Sequence, residues 1–140
     1  MILPDVNVLI YAFRTESPFF DRCNAWLGET TGGDAPFAVS PLALSALVRI
    51  TTNRRLFSQP STHDEAFDFC EDLMAQPNCR LVEPGARHWP IFRRLCAEAA
   101  IGGPDVTDAW YAALAIEHGC EWITMDGGFA RFAGLKWREP

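Results

Sequence analysis

The sequence predicts one α/β domain whose parallel sheet is covered by helices on both faces. Short apolar segments alternate along the chain with longer amphipathic ones, which is typical of strands joined by crossover helices. The length of 140 residues suits a single domain of average size. With 49% hydrophobic and 12% aromatic residues, the chain has the apolar side chains that a core needs, which excludes a disordered protein.

The first half of the chain is expected to contribute two strands and four helices. A strand over 1–6 turns into a helix near Asn7, because the apolar run continues to Phe13 and is too long for that strand alone. Two further helices have start signals, Ser40 before Pro41 and the capping box from Thr62 to Glu65. The other predicted elements are a helix over 19–28, a loop over 30–36, a strand over 37–39, a helix over 42–52 and a helix to Ala75 with Phe67, Cys70 and Met74 on its apolar stripe.

The second half is expected to complete a sheet of four to five short strands. A strand over 79–82 and a helix over 89–100 precede the chain break at 102–104. A helix rich in alanine then starts at Thr107 and ends at Gly119, where glycine supplies a left-handed cap. A fourth strand covers 121–125, and 134–137 is a candidate fifth strand at an edge.

Charge and composition restrict the function further. A formal charge of −6 argues against broad nonspecific attraction to nucleic acid or anionic lipid, so a phosphate-bearing substrate has to be held locally. No apolar run reaches the roughly 18 residues of a membrane span, and we expect a cytoplasmic protein without membrane contact. The five cysteines, an odd number without a C-x-x-C motif, are expected to be reduced and mostly buried.

Acidic residues follow two of the predicted strands. Asp5 closes the first strand and Asp126 follows the fourth. Ligands of such sheets bind beyond the carboxyl ends of the strands, which makes both residues candidates for a functional site. Each of them is equally open to a structural interpretation, as an Asx turn or as the N-cap of the next element.

Two more acids open the alanine-rich helix. Asp105 and Asp108 are three residues apart and share one helix face, although capping alone accounts for one of them. Together with Asp5 and Asp126 they form a set of four carboxylates with no neighbouring Lys or paired His. Such a set favours Mg²⁺ or Mn²⁺, and a divalent ion that activates water beside a phosphate points to phosphodiester hydrolysis.

Three blocks of the sequence resemble those of PIN-domain ribonucleases, and more narrowly the VapC toxins of bacterial type II toxin–antitoxin modules. The blocks are DVNVLIY over 5–11, DAWYAALA over 108–115 and TMDGGF over 124–129. The resemblance covers the whole chain, 1–140, as one PIN domain. It implies an α/β/α sandwich with a central parallel sheet, an acidic cluster that binds Mg²⁺ or Mn²⁺, a homodimer, and inhibition by a cognate VapB antitoxin.

The resemblance also implies roles for individual residues. Asp5, Asp108 and Asp126 fall on the acidic positions of the family and are the expected catalytic residues, and with Asp105 they are the expected metal ligands. Asn7 and Thr124 are expected to orient these carboxylates or a bound water. The substrate is expected to be tRNA, rRNA or mRNA, and an arginine of the antitoxin entering the acidic site is a plausible inhibitor.

One position departs from the family. PIN domains usually carry a Glu about three residues before an Arg in the helix after the second strand, and Ala46 stands there, ahead of Arg49. No acidic residue lies between Asp34 and Asp64, so a shifted alignment does not recover it. Two replacements stay open: Asp105 as a carboxylate, and Ser45 as a neutral ligand or a contact to water.

Several arginines near the predicted active edge are candidate contacts for RNA phosphates, or else belong to solvated helix faces: Arg14, Arg49, Arg54 and Arg55. Two other functions compete with the nuclease. Ala46 prompts a PIN-fold protein with weakened catalysis that acts mainly through protein binding. The spacing of Asp5 and Asn7 also resembles haloacid-dehalogenase-like phosphatases, but these use a lysine near the site and the one lysine here is Lys136.

Overall fold

A five-stranded parallel sheet forms the centre of the computed structural model, which describes all 140 residues. The strands are β1 (Ile2–Pro4), β2 (Phe37–Val39), β3 (Cys79–Leu81), β4 (Glu121–Ile123) and β5 (Trp137–Arg138). Their order is β3-β2-β1-β4-β5, and every neighbouring pair is parallel. The chain therefore reverses its direction across the sheet between β1 and β4, and such a switch point is where ligands bind in α/β proteins.

Six helices and one 3₁₀ turn surround the sheet. They are α1 (Val6–Phe13), α2 (Phe20–Gly32), α3 (Pro41–Thr51), α4 (His63–Met74), α5 (His88–Glu98), α6 (Asp105–Glu117) and the 3₁₀ turn Gly127–Arg131. This architecture confirms the expected α/β/α sandwich. None of the helices combines the length and apolarity that crossing a bilayer requires.

The two faces of the sheet bury separate hydrophobic clusters, because successive strand residues point to opposite faces. Ala38 and Trp122 pack with α5 and α6 on one face. Val39 and Ile123, one position further along the same strands, pack with the residues of α1 to α4 on the other face. The central strands β1, β2 and β4 are largely buried between the two layers, and their carboxyl ends meet at the switch point, where ligands of such sheets bind.

Several predicted boundaries are wrong by a few residues. Helix α2 continues to Gly32 through the predicted loop, since the Thr31 hydroxyl bonds the Leu27 carbonyl and keeps the last turn helical. Helix α6 begins at Asp105 instead of Thr107, because Pro104 already has helical φ and ψ. The fifth strand starts only at Trp137, three residues beyond Gly134, whose φ of 86° suits a turn and not a strand.

The predicted apolar stripe of α4 is also wrong in part. Cys70 is buried, but Phe67 and Met74 are 52% and 39% exposed. The buried residues of α4 are instead Ala66, Cys70 and Leu73, spaced four and three residues apart as a core-facing helix requires. The predicted capping box of Thr62 and Glu65 is present. None of the five cysteines forms a disulfide, and Cys23, Cys70 and Cys120 are buried, as expected.

Candidate active site

The register of the sheet aligns three polar residues just beyond the strand ends. Ile2 pairs with Phe37 on one side and with Glu121 on the other. Three residues further along each of these strands, Asp5 is consequently level with Ser40 and with Thr124. The backbone N–H of Asp5 donates to the Ile123 carbonyl at 2.8 Å, which fixes the carboxylate at the switch point.

Asp5 is the centre of a buried hydrogen-bond network. It is 6% exposed, and its Oδ2 accepts from Thr124 Oγ1 at 2.6 Å and from Asn7 Nδ2 at 2.9 Å. Thr124 Oγ1 in turn accepts from Asn7 Nδ2 at 3.1 Å and from the Asp126 backbone N–H at 3.0 Å. Asn7 and Thr124 therefore hold Asp5 in one orientation, the arrangement that the sequence led us to expect.

Burial raises the pKa of Asp5 to about 6, because desolvation disfavours the charged form. The hydrogen bond from Thr124 opposes this rise, and the negative charge of Asp108 adds to it. A buried carboxylate of this kind is stabilised by any cation that approaches it. Asp5 occupies the N-cap position of α1, but its side chain makes no capping hydrogen bond and instead faces the cavity with a raised pKa, as is typical of a ligand or of a proton-transfer group.

Asp108 extends the acidic site from the first turn of α6. Burial is also the largest cause of its raised pKa, and the negative charges of Asp126 and Asp105 raise it further, against the opposing charge of Arg131. The charge of Asp126 raises the pKa of Asp108, and the charge of Asp108 raises the pKa of Asp5. The fold therefore brings carboxylates from three separated segments to one edge of the sheet. Asp126 has a structural role as well, since its Oδ1 accepts from the Gly128 N–H at 2.7 Å and caps the 3₁₀ turn.

Arg131 is the functional-site residue that the sequence analysis missed. Its Nη1 lies 3.3 Å from Asp105 Oδ2 and its Nη2 lies 2.7 Å from Asp108 Oδ2. No local pattern indicates these contacts, because Arg131 ends a short 3₁₀ turn and its partners lie on α6, more than 20 residues away in the chain.

A cavity of about 330 Å³ opens beside Asp5 and Asp108. Helix α3 forms its opposite wall with Ser45, Ala46 and Arg49. Ala46 therefore lines the same cavity as the two carboxylates, at the position where the sequence resemblance implies a Glu. The other lining residues are Val6, Leu42, Ile50, Thr107 and Tyr111.

Comparison with known proteins decides the family, since the family model described as "PIN domain" matches residues 2–135. The chain belongs to the PIN domain family. Ribonuclease VapC25 of Mycobacterium tuberculosis is 40% identical over 140 residues, which cover all of this chain and 99% of that protein. Ribonuclease VapC43 of the same organism is 36% identical over 140 residues, which cover 95% of that protein.

Solved structures share the fold of this PIN domain. VapBC2 from Rickettsia felis, bound to a DNA fragment from its promoter, has a TM-score of 0.74 and 17% identity, with 99% of this chain and 98% of that chain covered. VapC20 of Mycobacterium tuberculosis, described as a Sarcin-Ricin loop cleaving toxin, has a TM-score of 0.69 and 12% identity, with 96% and 98% covered. Family membership also sets aside the phosphatase alternative.

The acids of this PIN domain fit a hard divalent cation in donor type and in charge. Asp5 and Asp108 share one cavity, and burial is the largest cause of both raised pKa values, to which the charge of Asp108 adds at Asp5 and the charges of Asp126 and Asp105 add at Asp108. A cation would stabilise both carboxylates in their charged form. In their present orientations, however, no three His, Cys, Asp or Glu side chains stand close enough together to hold an ion. Asp108 is turned to Arg131 and Asp126 to Gly128, so both carboxylates have to reorient if they are to share a ligand.

Two of the four candidate RNA-binding arginines, Arg49 and Arg14, lie in different surroundings. Arg49 is exposed and lines the acidic cavity. Arg14 lines a separate cavity, where its Nη1 donates to Ser61 Oγ and its Nη2 to the Gln59 carbonyl, both at 2.8 Å. Its guanidinium also pairs with Glu16 and lies over the Phe57 ring. Arg14 thus holds the loop between α3 and α4, and its donors are already used.

Proposed function

We propose that the chain is a metal-dependent endoribonuclease, the toxin of a type II VapBC-like toxin–antitoxin module, which hydrolyses RNA phosphodiester bonds with Mg²⁺ or Mn²⁺. The observation that carries the proposal is the pair of carboxylates, Asp5 and Asp108, that face one cavity at the switch point with raised pKa values. The names of the full-length relatives, which are ribonucleases, support the same chemistry.

Each acidic residue has a role in this proposal. Asp5, Asp108 and Asp126 would hold the divalent ion, and Asp105 would add a carboxylate at the exposed rim of the site. The chemistry that the ion would supply when bound is polarisation of a phosphate and a lowered pKa of a water. The chain itself orients Asp5 through Thr124 and Asn7, so the buried carboxylate needs no rearrangement when it binds.

The net charge of −6 repels RNA as a whole, so the proposed RNA substrate has to be held by cationic side chains close to the site. Arg49 stands on the cavity wall opposite the carboxylates, and we assign it a contact to an RNA phosphate. Ser45, one turn before Arg49 on the same wall, is placed to contact a water or the substrate.

The proposed partners are a VapB-like antitoxin and a second copy of this chain. The structural neighbours support the antitoxin, because several were solved as VapBC pairs, from Rickettsia felis, Haemophilus influenzae and Salmonella typhimurium. The acidic cavity suits a cationic side chain of such an antitoxin, which would replace the charge of the ion. The proposed place of action is the cytoplasm, where RNA and antitoxin are both present.

An RNA cleavage assay tests the enzymatic part. The purified protein is incubated with total tRNA and with rRNA in Mn²⁺, in Mg²⁺ and in EDTA, and the fragments are mapped. We expect cleavage only with a divalent ion, and a loss of about 100-fold or more in Asp108→Asn, as for removal of a principal catalytic group. Asp68→Asn, which removes an exposed carboxylate of α4, is the matched control and should cleave normally.

A second candidate function follows from Ala46. A methyl group lines the cavity where related sequences usually supply a carboxylate, which favours a PIN-fold protein with weakened catalysis that acts mainly by binding its antitoxin. Intact RNA after long incubation with every metal, together with tight binding of the antitoxin from the adjacent gene, would establish this function and exclude the nuclease.

A further inference from the structure

Arg131 is the one side chain that brings a positive charge into direct contact with the acidic cluster. It spans two carboxylates of α6, one with each terminal nitrogen, at 3.3 Å from Asp105 and 2.7 Å from Asp108. The guanidinium also lies over the ring of Phe132, with 5.0 Å between the guanidinium carbon and the ring centroid. These contacts hold the guanidinium from two directions, so its place beside Asp108 is built into the fold.

The charge balance at this cluster is strongly negative. Asp108 interacts with the charges of Asp5, Asp105 and Asp126, and Arg131 is the single cation among the charged groups that act on it. A guanidinium carries one positive charge, whereas a divalent cation carries two and binds carboxylate oxygens directly. A divalent ion would therefore compete with Arg131 for the carboxylate of Asp108, whose Oδ2 the guanidinium contacts.

We propose that Arg131 is the built-in counter-ion of the acidic site and that a divalent ion must displace it from Asp108 in order to bind there. This inference rests on the proposed metal-dependent function and adds to it a residue that sets the affinity for the ion. Once released from Asp108, the guanidinium keeps Asp105 as a partner, at the exposed rim of the site. Arg131 is accordingly a positioning residue, which acts on the metal site through Asp108.

Removing Arg131 should lower the stability of the metal-free protein and raise its affinity for a divalent ion. Without Arg131, the carboxylates repel one another more strongly, so the metal-free protein should lose stability. The same loss removes the competitor for Asp108, so the divalent ion should bind more tightly. A purely structural arginine would give the first effect without the second, because loosening the site would weaken metal binding or leave it unchanged.

The experiment is Mn²⁺ titration calorimetry on wild type, Arg131→Gln and Arg131→Lys, with thermal unfolding in EDTA on the same samples. We expect Arg131→Gln to bind Mn²⁺ about three- to tenfold more tightly, the range that removal of one or two partly exposed ion pairs allows. Its unfolding temperature in EDTA should fall, and Mn²⁺ should raise it more than in wild type. Arg131→Lys, which keeps the charge without the fork, should lie between the two.

Arg138→Gln is the matched control, since Arg138 forms an ion pair with Glu121 away from the acidic cavity and its loss changes the net charge equally. If wild type binds Mn²⁺ but Arg131→Gln binds it no more tightly than Arg138→Gln does, the role proposed for Arg131 is overturned. The proposed function then stays intact. Absence of Mn²⁺ binding in all variants overturns both. If the glutamine variant fails to fold, the lysine variant carries the same comparison.

Discussion

Thr124 Oγ1 donates a 2.6 Å hydrogen bond to Asp5 Oδ2 across a separation of 119 residues in the chain. The bond joins the ends of β1 and β4, the two strands between which the chain reverses direction. It also connects the buried acid to the third sequence block, because the same hydroxyl accepts from the Asp126 backbone N–H. One threonine thus couples the two strand ends that carry the acidic residues.

Replacing Thr124 by valine should destabilise the fold by about 1–3 kcal/mol, since the buried carboxylate of Asp5 loses one of its two side-chain donors and the Asp126 backbone N–H loses its acceptor. Urea unfolding at pH 7 measures the change. Thr51→Val is the control: that hydroxyl is equally buried, but it bonds only the Leu47 carbonyl within its own helix, so its loss should cost less than about 1 kcal/mol. Equal losses of unfolding free energy in both variants would show that the hydrogen bonds of Thr124 stabilise the fold no more than the bond of Thr51 within its own helix.

Asp5 should make the stability of the metal-free protein depend on pH. Its pKa is about 6 in the folded protein against an ordinary value of 3.8, so the folded state binds the proton more tightly than the unfolded state. The stability that Asp5 contributes is therefore full below pH 3.8 and is lost as the pH rises through about 6. Asp5→Asn, which stays neutral, should be more stable than wild type at pH 7.5 by up to about 3 kcal/mol, and by about 1 kcal/mol at pH 4.5.

Denaturant unfolding in EDTA at both pH values measures this difference, with Asp68→Asn as the exposed control on α4. A stabilisation of Asp5→Asn that is the same at pH 4.5 and pH 7.5 would contradict ionisation of Asp5 as its cause. Excess Mn²⁺ should remove the advantage of the variant, because the ion favours the charged carboxylate.

The acidic positions of the site were accessible from the sequence because each follows a feature that is visible locally. Asp5 and Asp126 come directly after short apolar strands, and the carboxyl ends of parallel strands necessarily meet at one edge. Asp108 lies in the first turn of a helix whose small buried residues, Ala112 and Ala115, bring it close to the sheet. The pattern of the chain thus predicted the fold and placed these carboxylates at one edge of the sheet, while their role in a shared site stays a prediction.

Arg131 and Phe67 show why the remainder was not predictable. Arg131 ends a short 3₁₀ turn, which has no periodicity that would indicate its direction, and its partners on α6 are more than 20 residues away in the chain. Phe67 looks like a core residue by type, but the spacing of Ala66, Cys70 and Leu73 turns it outwards, against a groove of about 530 Å³ between α3 and α4. Both depend on how elements pack, which no local pattern contains.

Arg49 and Arg14 should behave differently when each is changed to glutamine. Arg49→Gln removes an exposed cation from the cavity wall, so RNA binding should weaken about two- to fivefold and the salt dependence should fall by about one phosphate contact. Arg14→Gln should leave RNA binding unchanged, because its donors are used by Ser61 and Gln59. It should instead make the loop around Phe57 more sensitive to proteolysis.

Fluorescence anisotropy with labelled tRNA at several salt concentrations measures the binding of both variants, with Asp108→Asn as background to prevent cleavage. Limited proteolysis reports on the loop. Equal loss of RNA binding in the two variants would argue for a general electrostatic effect instead of a contact at the cavity wall.

Placing a glutamate at position 46 tests whether this position faces the proposed metal site. Ala46 lines the cavity that Asp5 and Asp108 share, so Ala46→Glu places a further oxygen ligand opposite them. Mn²⁺ should bind about tenfold or more tightly, because affinity rises with the number of charged ligands, and RNA cleavage should increase with it. In EDTA the variant should be less stable than wild type, since the added charge repels the other two. Ala75→Glu, at the exposed end of α4, adds the same charge outside the cavity and should change neither Mn²⁺ binding nor RNA cleavage. Calorimetry that finds the two glutamate variants alike would mean that position 46 does not face the metal site, and that the cavity is shaped for a partner other than an ion.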